Sequence, residues 1–354
     1  MTVRVGLGTL SGQLPFTETR TAGDVYREML ELARLAEEVG FDSFWLSSHH
    51  GAPNSHLPSP IVLLAAVAAV TKRIELGAAM VIAPLQPPLR FAEDCAVADQ
   101  ISRGRLIVGL SAGWRPEEFS AFGIDMRERA RRTAELAQIC RAAWDDGRVT
   151  FAGRHDRVED AAVTPRPYRR LPLFMGGTAP SAVARAGRLA DGFLSTGTPQ
   201  KGVIAFEAEV RAFDAAARAA GRDPAGLAIG FNVNAWASAD GAVPLAVRGA
   251  MWHKIGTSLA WHAGQQTRHD DDVPALDEAR VAERGFFGTA EDVVRQAEPW
   301  VAPHDGRDLH VLFRLYHPGM RASDAAPAIR LFGERVIPAL KEMHARAGAK
   351  GAAG

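Results

Sequence analysis

Residues 104–119 read GRLIVGLSAGWRPEEF. An apolar run, Leu106 to Val108, leads into Gly109-Leu110-Ser111-Ala112-Gly113. That pentapeptide fits G-x-S-x-G, the signature of a serine nucleophile on a strained strand-to-helix turn. The same letters also fit the end of a barrel strand that carries no nucleophile. A nucleophile turn should lead directly into a helix, yet Pro116 comes five residues after Ser111. Proline suits a first helical turn and damages a helix beyond it. RPEEF therefore reads as a helix start of its own, with Pro116 first and Glu117 and Glu118 at the positive end of the dipole. A serine hydrolase would find some support in His49-His50-Gly51 as an oxyanion-loop mimic and in His310 or His317 as the base. It would also need a largely antiparallel start, which this chain lacks.

Outward from this stretch, strand-like and helix-like segments alternate. Val3–Leu10 (VRVGLGTL) reads as a buried strand. In the following segment Val25, Met29, Leu32, Ala36 and Val39 recur at helical spacing, with Asp24 able to cap the start and Gly40 the end. FDSFWLSS is a second strand, followed by an apolar helix after Pro60. IELGAAMVIAP is a third, with a helix over Leu89–Ile101. RLIVGLS is the fourth, with a helix over Arg127–Trp144, and VTFAGRHDRVEDAAV is a hairpin excursion turning at Gly153. LPLFMGG and an Ala-rich helix from Thr178 follow. Then come GFLSTG and a helix over Lys201–Ala220, LAIGFNVNAWAS, and finally LHVLFRLY with a closing helix over Ala325–Glu342. Eight β/α units in one chain predict an α/β fold of the (β/α)8 TIM-barrel type, with insertions at the C-terminal face of the strands. A doubly wound open sheet shares this periodicity. No linker or repeat interrupts it, so residues 1–345 read as one domain and 346–354 as a flexible tail. Gly241–Gly285 is the long exception, with a helix over Pro244–His262. It reads as a lid that sets substrate contacts, or as a surface or dimer-contact helix.

Bulk properties narrow the class. The 354 residues can bury a large core. Lys plus Arg and Asp plus Glu both number 41, which argues against nucleic acid or an anionic membrane surface as partner. The two cysteines, Cys95 and Cys140, lack metal or disulfide spacing and suit a reducing compartment. The longest apolar run, Ile61–Val70, is too short for a bilayer, and the N-terminus shows no secretion signal. A cytoplasmic globular protein is expected.

In a barrel the active site lies at the C-terminal ends of the strands. Strand 2 ends at His49 and His50. Adjacent strand residues point to opposite faces, so the pair does not suit one metal, whereas one histidine at the mouth suits acid/base work near neutral pH. Strand 3 ends near Ala79-Met80. Strand 5 ends in Gly176-Gly177-Thr178 and runs into a helix, offering backbone N–H groups and the hydroxyls of Thr178 and Ser181 to a single phosphate. An ordinary βα turn capped by Thr178 is the plainer alternative.

Together, the stretches AEEVGFDSFWLSSHH, RIELGAAMVIAPLQPPLRFAEDCAVADQISRGRLIVGLSAGWRPEEFSAFGID, PRPYRRLPLFMGGTAPSAVARAGRLADGF and RLYHPGM resemble the luciferase-like flavin monooxygenases, from about Val3 to Leu340. The resemblance implies a barrel that uses reduced FMN from a separate flavin reductase, with oxygen and a small organic molecule as substrates, commonly as a homodimer. It implies that His49 is the active-site histidine and His50 its neighbour, together the catalytic pair. It puts a non-prolyl cis peptide at Ala79-Met80 under the flavin ring, and Gly176, Gly177, Thr178 and Ser181 at its phosphate. Ser111 and Gly113 fall beside the flavin, and Glu118 falls where an acid supports the site. Trp114, Trp252 and Trp261 are the expected substrate contacts. Two positions depart from the pattern. The phosphate-holding arginine falls on Ala112, leaving Arg115 or Arg90 as replacements, and the acid before the histidine pair is Ser48. A branch of the same superfamily uses a deazaflavin coenzyme for hydride transfer, and His50 leans toward the FMN branch. A serine hydrolase using Ser111, and a flavin-binding barrel without turnover, are the remaining alternatives.

Overall fold

A computed structural model describes residues 3–195, 201–265, 267–304 and 306–351, with side chains to residue 345. The strands are β1 (Val3–Leu10), β2 (Ser43–Leu46), β3 (Glu75–Ile82), β4 (Leu106–Ser111), β5 (Arg148–Ala152), β6 (Arg157–Ala162), β7 (Leu173–Gly176), β8 (Gly192–Ser195), β9 (Ala228–Ala237), β10 (Gly285–Gly288) and β11 (Leu309–Arg314). Parallel pairing runs β9-β11-β1-β2-β3-β4-β7-β8 and returns from β8 to β9, closing an eight-stranded barrel. β5 and β6 form the antiparallel hairpin outside it. The helices are α1 (Ala22–Val39), α2 (Pro60–Val70), α3 (Pro88–Ser102), α4 (Pro116–Ala121), α5 (Arg129–Asp146), α6 (Pro180–Leu189), α7 (Val203–Ala219), α8 (Leu245–His262), α9 (Glu278–Ala282), α10 (Ala290–Val301), α11 (Ala322–Leu331) and α12 (Ile337–Gly351).

The barrel interior is filled from alternate strand positions, as parallel strands buried on both faces require. Trp45, Ile107, Phe174, Leu194 and Leu312 form its inner cluster. Gly77 makes room for Trp45: a Cβ there would lie 2.0 Å from the indole. Between barrel and helices runs the larger apolar layer, to which α1 contributes Val25, Met29, Leu32, Ala33 and Ala36.

Several elements differ from the sequence reading. Thr21, not Asp24, is the N-cap of α1. Asp24 occupies the third position and bonds back to Thr21, completing a capping box. Residues 325–342 are not one helix, because a π-helical turn over Phe332–Val336 separates α11 from α12. α12 runs on to Gly351, through most of the expected tail, and 352–354 lie outside the described residues, as does the Thr196-Gly197 end of the expected sixth strand. The seventh β/α unit carries an unexpected strand and helix, β10 and α10. β9 is ten residues long, and its N-terminal part pairs with β11 up to Asn234. Beyond that point its free edge accepts β10, from Asn234 to Ala237. GFFG is too short to announce itself against its polar flanks. Among the described residues, no helix is long and apolar enough to cross a membrane.

Candidate active site

A cavity of about 740 Å³ opens at the C-terminal ends of the strands. Ala79, Met80, Ile82 and Leu194 give it an apolar floor, and Trp114 and His262 form a wall. The Ala79–Met80 peptide is cis, and Ser48 Oγ donates to Met80 O at 3.0 Å. Gly109 and Gly176 let the Met80 side chain settle between β4 and β7. A Cβ on either would meet its Sδ at 2.6 Å or its Cε at 2.7 Å.

One polar side of the cavity centres on His49. Its Nδ1 lies 2.9 Å from Oε1 of Glu118, and the His50 backbone N–H donates to the same oxygen at 2.7 Å. The Glu118 side chain is fully buried. With Nδ1 engaged by Glu118, Nε2 is the ring nitrogen left for a substrate or coenzyme. Rings hold the imidazole edge-on: His56 at 4.7 Å, Trp261 at 5.4 Å and Trp114 at 5.8 Å between centroids. His50 does not line the cavity. Its ring rests on Phe122 at 5.0 Å, and burial lowers its pKa. Strand 2 was expected to end at this pair, but β2 stops at Leu46, so the loop after it, and not strand alternation, sends the two rings to different surroundings.

The other side is cationic. Gly176, Gly177, Thr178 and Ser181 line it as expected, where α6 starts without a side-chain cap. Around them stand Arg127, Arg129 and Arg185, which the sequence reading did not single out. Arg185 is 7 % exposed, its Nε has no hydrogen-bond partner among the described residues, and burial, then Arg188 and Arg129, lower its pKa. The two expected substitutes for the missing arginine sit elsewhere. Arg90 is on the outside of α3, paired with Asp94. Arg115 lies with its guanidinium 3.9 Å over the Trp261 ring and its Nη1 3.9 Å from Glu118. One signal was available: Arg185 stands four residues after Ser181, so the two share a helix face. Arg127 and Arg129 carried none, since their approach depends on how α5 docks.

Ser111 and Gly113 line the cavity, but the hydrolase arrangement is not assembled. His310 is buried near the start of β11, edge-on to Trp45 and Phe174, at the opposite end of the strands from Ser111. His317 is buried past the end of β11. Neither lines the cavity, and among the described residues Ser111 bonds no histidine. From α8 the residues that reach the cavity are Ser258 and His262, whose ring stacks on Trp114 at 3.8 Å. Trp261 sits behind His49, its Nε1 donating to Thr267, while Trp252 is buried and donates to the Pro274 carbonyl, away from the cavity.

The lining thus joins a flat apolar floor, three arginines and, among the described residues, no carboxylate. This donor set and shape fit a planar ring bearing one anionic tail. A family model described as luciferase-like monooxygenase matches residues 3–328, and the chain belongs to that family. Its relatives divide between two coenzymes. It is 33% identical over 180 residues to an F420-dependent glucose-6-phosphate dehydrogenase of Kineococcus radiotolerans, covering 48% of this chain and 52% of that protein. It is 31% identical over 193 residues to an FMNH2-dependent dimethylsulfone monooxygenase of Pseudomonas fluorescens, covering 52% of each. The chain spans about half the length of these curated relatives. Among solved structures, monooxygenase RslO1 from Streptomyces bottropensis superposes with a TM-score of 0.76 at 25% identity, over 96% of this chain and 99% of that one. An F420-dependent secondary alcohol dehydrogenase shares the fold at a TM-score of 0.74 and 20% identity, over 96% and 99%.

Proposed function

We propose that this chain is a flavin-dependent monooxygenase that takes reduced FMN and dioxygen and oxidises a small organic substrate. The observation that carries the reading is the single anion seat. Arg129, Arg185, Thr178, Ser181 and the open start of α6 converge beyond the floor formed by Ala79 and Met80, with His49 on the facing side. When bound, reduced FMN supplies the electrons for oxygen activation; the fold supplies position and proton control.

Arg185 and Arg129 would hold the phosphate, and the hydroxyls of Thr178 and Ser181 would orient it. The floor would receive the ring. Trp114 and His262, stacked across the mouth, would exclude water from the chemistry. His49 would hold or release a proton at Nε2, with Glu118 holding the ring through Nδ1. In the same reading a separate reductase supplies the reduced flavin and two copies of the chain associate.

A second reading, hydride transfer with a deazaflavin coenzyme, is supported by the F420-dependent relatives. It also draws on Arg127, which lines the cavity with a side chain 91% exposed and paired with Asp125, at the edge where a longer anionic tail could run. An anaerobic titration with reduced FMN, followed by mixing with oxygenated buffer, separates the two. Saturable binding and flavin reoxidation kinetics altered by the protein are expected. No binding of reduced FMN, together with binding of the deazaflavin, would replace the first reading by the second.

A further inference from the structure

The side of the mouth built by β1, β9, β11 and α8 holds two cations that the flavin reading does not use. Arg314, at the end of β11, donates Nε to Thr9 O at 3.0 Å, Nη1 to Asn234 Oδ1 at 3.0 Å and Nη2 to Thr9 Oγ1. Lys254, on α8, donates among the described residues only to Gln13 Oε1, at 3.3 Å. Among the described residues no carboxylate forms an ion pair with either, whereas the half-buried Arg20, Arg141 and Arg307 each meet one. Both are crowded by protein and keep some accessible surface, although neither lines the cavity itself. Burial, then the charge of Arg314, depresses the Lys254 ammonium well below its usual range, and burial holds Arg314 down to about 10. Burial without a carboxylate disfavours the charged form of each group, and an arriving anion would favour it.

The pair adjoins the cavity. Asn232, two residues before Asn234 on the same face of β9, lines it, and so does Ser258, one turn beyond Lys254 on α8. Between them and His49 stands His56, whose ring nitrogens have no hydrogen-bond partner among the described residues. The donors also count correctly. A guanidinium has five N–H groups and Arg314 uses three; an ammonium has three and Lys254 uses one. Two remain on each, which matches the four acceptor positions of a carboxylate.

We propose that the organic substrate is a carboxylic acid, its carboxylate seated between Arg314 and Lys254 so that the rest of the molecule extends toward His49. This rests on the reading of the mouth as a flavin enzyme's active site, and it makes that site two-ended: the flavin phosphate on Arg185, the substrate carboxylate on Lys254.

The test measures binding without flavin, by calorimetry and thermal shift at low salt, with acetate, octanoate and benzoate and with the corresponding neutral amides. Wild type should bind at least one acid and none of the amides comparably. Lys254→Met should weaken that acid about tenfold or more, the scale of losing one partner of a desolvated charge pair. Lys254→Arg should restore most of the loss, and Arg185→Met should leave it intact while weakening reduced FMN. Should Lys254→Met fail to fold, the acid-against-amide comparison on wild type and the Arg185→Met result still decide. Binding of none of the acids, equal binding of acid and amide, or loss in Arg185→Met but not in Lys254→Met would overturn the proposal. Failure of wild type to bind reduced FMN while the acid still binds at Lys254 would overturn the flavin reading alone.

Discussion

At the scale of single residues, His49 is useful because of what surrounds it. Glu118 is buried, sits 2.9 Å from Nδ1 and also accepts the His50 N–H, so the imidazole is held in one orientation. His49→Ala should lower turnover by roughly 100- to 10,000-fold, the usual worth of a positioned acid/base, while reduced-FMN affinity stays within a few-fold. Stopped-flow and steady-state rates, with a binding titration, check this. Lost flavin binding would make His49 a structural residue. Ser111→Ala should change rates by no more than a few-fold, because among the described residues no histidine bonds its hydroxyl. A loss of several orders of magnitude in esterase activity would revive the hydrolase. His49, Ser111, Thr178 and Ser181 were all legible in the sequence, since each lies at the end of a recognisable strand or the start of its helix. Arg127, Arg129, Lys254 and Arg314 were not, because only the docking of whole elements decides where long side chains end.

At the scale of elements, the turn between β7 and α6 is the most demanding. Gly177 has φ +153, and a Cβ there would sit 2.8 Å from that of Ala182. Gly177→Ala should displace the start of α6 and weaken reduced-FMN binding by about tenfold or more, the worth of one charge-assisted hydrogen bond. Unchanged affinity in a fluorescence titration would mean that the α6 turn does not hold the phosphate. α8 shows how an element can be legible while its role is not. Its span follows from the sequence, but which of its residues face the mouth depends on packing. Trp252 turns to Pro274, while Ser258 and His262 reach the cavity. β10 was missed because a four-residue strand owes its existence to the spare edge of β9 rather than to its own composition.

At the scale of the whole molecule, buried histidines couple stability to pH. His56, His253, His304 and His317 are all shifted down, in each case mainly by burial. Their unfolded-state values lie near about 6.5, so in mildly acid solution the unfolded chain binds protons that the folded chain does not. The contribution is therefore fully present above about pH 6.5 and is lost as pH falls toward the lower folded values. The melting temperature should drop between pH 7.5 and pH 5.5, a window in which paired carboxylates remain ionised; a flat Tm across it would contradict the assignment.

The order of strands and helices and the strand ends where chemistry gathers were determined by the sequence, because periodicity and turn chemistry are local properties written every few residues; closure of the barrel, whose periodicity an open sheet shares, was decided by the pairing of β8 with β9. Three further things were decided only by the tertiary structure: that His50 stays out of the cavity that His49 lines, that Arg129 from α5 and Arg185 from α6 line one side of it, and that Lys254 and Arg314 have no carboxylate partner among the described residues. Each concerns side chains whose surroundings come from far along the chain, and such surroundings depend on how closed layers pack rather than on any local pattern.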